Sequence, residues 1–175
     1  MNLDTLTHSI QVAMLAKSMA EKLRLDSNSI LEITIAAICH DVGKAYVPKG
    51  ILGKPGKLND DEFDLMKKHT LYGSNLLSRY NDKIMQTAAE TALNHHERFD
   101  GSGYMKKSCG EVSVAARIVG VADVYSALIE DRVYRPAWSK EDALFFINEN
   151  AGKQFDPCVV DVLLDVLNNK QKENF

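Results

Sequence analysis

Ile30-Leu-Glu-Ile-Thr-Ile-Ala-Ala-Ile-Cys-His-Asp-Val-Gly-Lys44 is the stretch that decides the fold class. Apolar residues fall on nearly every side of a helix drawn through it, and a helix that is apolar all round is a buried one. The apolar stretch from Ile33 to Cys39 is too short to cross a bilayer, so the burial expected is inside a protein core. The helix then ends in His40-Asp41-x-x-Lys44. Ionisable groups at the end of a buried helix are costly unless they are paired or hold a metal.

Working outward, the pattern stays helical. Leu3 to Leu25 repeats apolar residues at helical spacing: Leu6, Ile10, Ala13, Ala16, Ala20 and Leu23. Ser29-x-x-Glu32 has the form of a capping box opening the central helix. Residues 45–58 carry Pro48, Gly50, Gly53, Pro55 and Gly56 and are expected as an ordered loop. Asn59 and Glu62 cap a helix that carries His69. A further helix runs from about Asp82 to His96, and a glycine-bearing loop follows from Glu97 to Gly110. A long helix spans Ser113 to Glu130, Ser139-x-x-Asp142 opens another, and Asp156-Pro157 opens the last. With no strand-period segment, the expectation is an all-α bundle of about seven helices. It comprises a single domain over residues 1–168 and a polar tail over 169–175.

A chain of 175 residues with 45% hydrophobic and 26% charged residues is an ordinary globular domain with room for a core. Its net charge of −3 and the absence of a basic stripe argue against DNA or RNA polymers as partners. No basic segment followed by an apolar one opens the chain, so neither a signal peptide nor a membrane is expected. Cys39, Cys109 and Cys158 are odd in number and widely spaced, which points to reduced thiols and a cytoplasmic setting. Cys39 and Cys158 read as small core hydrophobes.

All five histidines lie in short motifs with other metal-ligand residue types: Asp4-x-x-x-His8, His40-Asp41, His69 and His95-His96, with Asp123 completing the set. Asp4 and His8 share a helix face, whereas adjacent residues such as His95 and His96 do not face each other. If both members of a tandem pair are ligands they must splay around a cluster, which argues for more than one ion. Asp41 is the candidate bridging carboxylate. Eight donors exceed the four of a structural zinc site and suit two six-coordinate ions, or three if Asp4 joins. Mixed nitrogen and oxygen donors suit iron, manganese, nickel or zinc. Taken singly, His69 would more often be a packing histidine and Asp4 a helix-start residue; the joint pattern outweighs that reading. Lys44, one turn after His40, can hydrogen-bond an attacking water or a phosphate oxygen, or simply satisfy the last helix carbonyls.

The series Cys39-His-Asp-Val-Gly-Lys44, Ile51-Leu-Gly-Lys-Pro-Gly-Lys-Leu58, Met66-Lys-Lys-His69, His95-His-Glu-Arg-Phe-Asp-Gly-Ser-Gly-Tyr104, Ala122-Asp123, Arg132-Val-Tyr-Arg135 and Gln154-Phe-Asp-Pro157 resembles the HD-GYP domain. HD-GYP domains are a subfamily of the HD metal-dependent phosphohydrolases. The resemblance covers nearly the whole chain. It implies an HD-domain helical bundle with a GYP-type loop. It also implies hydrolysis of cyclic di-GMP to linear pGpG or GMP at a centre of two or three divalent ions, iron or manganese. Carried over by position, it makes His8, His40, Asp41, His69, His95, His96 and Asp123 metal ligands. Asp4 stands where members with a third ion have Glu. Lys44 and Asp41 become the catalytic-site residues, with Lys44, Arg132 and Arg135 binding substrate phosphates.

Two positions depart from the pattern. Met105 follows Gly103-Tyr104 where the family has Pro, and Met loosens a loop that Pro would stiffen. Ser126 stands where the family usually has a second Asp. The family usually carries this domain behind a sensor or receiver domain and, in some members, meets diguanylate cyclase domains through the Gly-Tyr-Pro loop. Besides a cyclic dinucleotide, expected partners are therefore such domains and a second copy of the chain. The expected mechanism is attack on a phosphodiester by metal-activated hydroxide. The alternatives are an HD phosphohydrolase of another nucleotide, such as mixed cyclic GMP-AMP, and a non-catalytic signalling module that binds a cyclic dinucleotide.

Overall fold

The computed structural model describes the backbone of residues 3–131 and 136–172 and the side chains of residues 6–131 and 136–169. Within these limits the chain is all-α. Its helices are α1 (Leu3–Lys22), α2 (Ser27–Cys39), α3 (Lys49–Leu52), α4 (Asp60–Leu77), α5 (Lys83–Asn94), α6 (Val114–Ile129), α7 (Lys140–Glu149) and α8 (Pro157–Lys172). Seven of these are the expected helices. The eighth, α3, is a single turn inside the expected loop, and a 3-10 turn over Val42–Tyr46 precedes it.

Capping is local, and most of it follows the expected residues. Asn59 and Glu62 form the reciprocal capping box of α4. Ser139 accepts from the Asp142 amide at the start of α7, and Asp156 accepts from the Cys158 amide at the start of α8. The start of α2 differs: Asp26, not Ser29, is its cap, accepting from the amides of Asn28 and Ser29. An ionised carboxylate three residues upstream outcompetes the serine hydroxyl, because an anion also complements the positive end of the helix.

α2 is central, packing against α1, α5 and α6. Its Ile33 and Ala37 join the larger core of α1, α6, α7 and α8, where Met19, Ile118, Ile147 and Leu163 are fully buried. Its Ala36 joins a smaller, alanine-rich core with α4 and α5. Fully burying a large side chain contributes about 1.5–3 kcal/mol. The helix is not covered all round, however: Leu31 and Ile38 are exposed. The stripe that carries them is only partly covered by the described residues. Cys158, expected in the core, is also exposed, and Cys39 is only partly buried.

Glycines set the spacing between α4, α5, α6 and the 3-10 turn. A Cβ added at Gly43 would sit 1.9 Å from the His69 carbonyl oxygen and 2.4 Å from the Gly73 nitrogen. One at Gly120 would sit 2.7 Å from the His95 carbonyl oxygen. Backbone therefore lies directly on backbone beside three of the histidines and Asp41. Gly43→Ala is expected to lower stability by about 1–3 kcal/mol in urea unfolding, as overpacking does. Gly50→Ala, where an added Cβ meets nothing within 4 Å, is expected to be neutral or slightly stabilising.

Candidate metal centre

α2 delivers His40 at its C-terminal cap, and the 3-10 turn that follows carries Asp41 and Lys44. His69 comes from the middle of α4, and His95 caps α5 with His96 next to it. α1 contributes His8 and α6 contributes Asp123. The structure brings these seven donors into two adjoining groups, Asp41–His69–His95–His96 and His8–His40–Asp123. In each group one ligand atom per residue lies within 4.8 Å of every other.

The side chain of Asp4 lies outside the described residues, although its backbone is in the first turn of α1. Arg132 and Arg135 also lie outside them.

Ring orientation follows from local hydrogen bonds. The Nδ1–H groups of His40, His69 and His95 donate to the carbonyls of Ala37 at 2.6 Å, Met66 at 2.7 Å and Ala92 at 3.0 Å. Each carbonyl lies one turn earlier in the chain. In the neutral rings of His69 and His95 the Nε2 is thereby left as a bare lone pair pointing into the cluster, and His40 Nε2 points there too. Yet the Nε2 atoms of His69 and His95 lie 3.4 Å apart. Two bare lone pairs at that distance repel unless a cation lies between or beside them.

Asp41 is the hub. Its Oδ1 is 3.3 Å from His69 Nε2 and 3.8 Å from His95 Nε2. Its Oδ2 is 3.2 Å from His40 Nε2 and 2.5 Å from Lys44 Nζ. The two oxygens thus face different histidines. Asp123 Oδ1 lies 2.9 Å from His8 Nε2 and 3.8 Å from His40 Nε2. His40 Nε2 and Asp41 Oδ1 are buried and lack a hydrogen bond. Orphaned buried polar atoms at one point are expected where a bound ion completes their coordination. The donor set and these orphans together fit divalent metal ions.

Electrostatics agree with the geometry. Burial opposes charge on His40, but the Asp41 and Asp123 carboxylates outweigh it and push its pKa up to about 9, so without a metal its Nε2 carries a proton that a bound cation would displace. Burial pulls His96 down to about 4 and holds His95 and His69 below the usual imidazole range, so these three stay neutral. Asp41 and Asp123 remain ionised. Burial works against them, yet His40 and Lys44 hold Asp41 well below the usual carboxylate range, and His8 and His40 do the same for Asp123. Burial, with Asp41 and Asp123 nearby, pushes the Tyr104 phenol up to about 12, keeping it a hydrogen-bond donor.

A cavity of about 450 Å³ opens beside His95 and His96. Phe63, Tyr104 and Phe155 are among its apolar walls, with Lys67, Arg98 and Arg117 among its cations. The Tyr104 ring lies 4.7 Å from that of His96 and meets Phe63 edge-on at 5.8 Å. Glu97 holds the loop that carries Tyr104: its carboxylate accepts from the amides of Met105 at 2.6 Å and Lys107 at 2.8 Å. Gly103 lets the loop lie on Glu97, since a Cβ there would be 2.5 Å from the Glu97 Cα. The expectation that Met105 loosens the loop meets a counterweight, because methionine keeps an N–H that proline lacks and Glu97 uses it. Ser126 is buried on α6.

A family model described as an HD domain matches residues 3–159. The chain belongs to the HD-domain family. Among similar proteins, the cyclic di-GMP phosphodiesterase response regulator RpfG of Xanthomonas campestris is 45% identical over 146 residues, 83% of this chain and 39% of its own length. The 3'3'-cGAMP-specific phosphodiesterase 2 of Vibrio cholerae is 37% identical over 163 residues, 93% of this chain and 31% of its own. The solved structure of Bd1817, an HDG"Y"P protein from Bdellovibrio bacteriovorus, superposes with a TM-score of 0.74 at 22% identity, covering 94% of this chain and 52% of that one. This HD domain therefore spans about a third to a half of the length of the relatives it matches.

Sequence reasoning missed Glu130, whose Oε2 lies 3.0 Å from His8 Nδ1, and the grip of Glu97 on the loop. A signal existed for each. Glu130 is two helical turns after Asp123 on one face, and Glu97 precedes a glycine loop rich in free amides.

Two outcomes are expected. Metal-free HD domain, prepared by chelation, is most stable near pH 6.5. His40, raised to about 9, contributes stability that is complete below about 6.5 and lost as pH rises through 9. His96, lowered to about 4, makes the unfolded chain take the proton first, so stability also falls as pH drops from 6.5 towards 4. Urea midpoints across pH 4–10 measure this dome. Separately, Glu97→Ala should speed amide exchange at Met105 and Lys107 by roughly tenfold or more, since hydrogen bonds to charged groups contribute about 1.5–3 kcal/mol.

Proposed function

We propose that this HD domain is a phosphodiesterase that hydrolyses cyclic di-GMP to linear pGpG or GMP. The observation that carries the reading is the set of histidine Nε2 atoms gathered around Asp41, beside a cavity with aromatic and cationic walls. Likeness to relatives named as cyclic di-GMP phosphodiesterases adds to it.

His8, His40, Asp41, His69, His95, His96 and Asp123 would hold two divalent ions, Asp41 being the carboxylate whose oxygens face histidines of both groups, with Asp4 the candidate donor to a third. Mixed imidazole and carboxylate donors suit iron, manganese, nickel or zinc, and the HD-GYP resemblance favours the first two. When bound, such ions polarise a phosphodiester and lower the pKa of water to near neutrality.

The remaining work falls to the chain. Lys44, half exposed and anchored on Asp41, offers its charge to a phosphoryl oxygen where negative charge develops. The Tyr104 phenol, protonated at neutral pH, can donate to a substrate oxygen. Phe63 and Tyr104 offer ring faces to a base. Arg132 and Arg135 are assigned to the second phosphate, for which guanidinium geometry is suited. Burial of the cluster excludes bulk water and strengthens each of these interactions.

A second reading, hydrolysis of 3'3'-cGAMP, has the support of the likeness to the Vibrio cholerae enzyme. Among the described residues no helix is long and apolar enough to cross a membrane. With its three cysteines free, a reducing cytoplasm is the compartment this reading assigns. A sensor or receiver domain is the assigned regulatory partner.

The test is chromatographic turnover of cyclic di-GMP and 3'3'-cGAMP by protein loaded anaerobically with iron or manganese, with metal per chain measured on the same sample. Cyclic di-GMP should be consumed faster than 3'3'-cGAMP. His40→Ala and Asp41→Ala should lose metal and turnover together. Lys44→Met should keep its metal and lose about 10²–10³-fold in kcat. Fully metallated protein that turns over neither nucleotide would overturn this reading in favour of an HD phosphohydrolase of another nucleotide or a non-catalytic binding module.

A further inference from the structure

Three histidines of the centre are oriented by their own chain neighbourhood, through carbonyls one turn earlier. His8 is held differently. Its Nδ1–H donates to Glu130 Oε2 at 3.0 Å, across 122 residues of sequence, while its Nε2 faces Asp123 Oδ1 at 2.9 Å. The ring is thus pinned between two carboxylates of α6, one at each nitrogen. Both contacts are partly buried, with 12% of the His8 side chain and 25% of the Glu130 side chain exposed.

Glu130 caps the C-terminal end of α6. A carboxylate there opposes the helix dipole, so its placement is not explained by helix stability. Asp123, Ser126 and Glu130 follow at spacings of three and four and share one face of α6. Ser126 is buried and carries a hydroxyl, so Asp123 and Glu130 are the two carboxylates that this face turns to His8.

We propose that Glu130 is the positioning residue of His8, and that it supports the His8–His40–Asp123 half of the centre but not the Asp41–His69–His95–His96 half. The proposal rests on the metal reading given above. A carboxylate accepting from a ligand histidine fixes the ring and tautomer so that the other nitrogen meets the ion. Removing such a partner typically costs 10–100-fold in metal affinity.

The experiment is a competition titration of the metal-free full chain with cobalt(II) against a chromophoric chelator. It is run on wild type, Glu130→Ala and Glu130→Gln, with thermal unfolding of each metal-free protein as a fold control. Wild type should take up two ions. Glu130→Ala should keep one at wild-type affinity and bind the other 10–100-fold more weakly. Glu130→Gln, whose amide oxygen still accepts from Nδ1–H, should recover most of the loss. Unchanged uptake by Glu130→Ala, equal weakening of both sites, or a Gln variant as weak as Ala would overturn the role of Glu130 alone. Wild-type protein that binds no ion would overturn this proposal together with the metal reading.

Discussion

The approach of His69 Nε2 to within 3.4 Å of His95 Nε2 is the constraint around which the fold is organised. Both rings have committed their Nδ1–H to helix carbonyls, so neither can donate to the other. Asp41, ionised and almost fully buried beside them, adds a negative charge that His40 and Lys44 balance. Without a cation the site is a concentration of buried acceptors, which no core would accumulate for packing. Every helix that contributes a donor must therefore be held rigidly by something else.

Small residues supply that rigidity. Gly43 lays the 3-10 turn on the backbone of α4, and Gly120 lays α6 on the carbonyl of His95. The smaller core between α2, α4 and α5 is mostly alanine, which lets these axes approach closely. The larger core, with Met19, Ile118, Ile147 and Leu163, carries most of the apolar burial and lies on the other side of α2. One side of α2 thus contributes mainly stability and the other mainly precision.

Much of this was legible in the sequence because it is periodic or local. The helices follow from apolar spacing, and the caps at Asn59 and Ser139 follow from side-chain chemistry within four residues. The seven described donors were legible because histidine and aspartate recur together in short motifs. The less legible features depend on tertiary neighbours. Nothing local distinguishes Leu31 and Ile38, which face outward, from Ile33, which faces the core. Ser29 has the form of a cap, and only the competing Asp26 displaces it. Glu130 meets His8 through a fold that joins the first helix to the sixth, and Glu97 acts on amides whose availability depends on the shape of the loop.

The two halves of the centre also differ in how far the chain must travel to close them. His69 and His95 are 26 residues apart, whereas His8 and Asp123 are 115 apart. Loop-closure entropy grows only logarithmically, so the longer closure disfavours the folded state by only about 1.3 kcal/mol more. The larger difference is mechanical. Lifting α1 away from α6 would dismantle the His8 half and leave the Asp41 half intact. The two groups therefore depend on different helix contacts, the first on α1 against α6 and the second on α4 against α5.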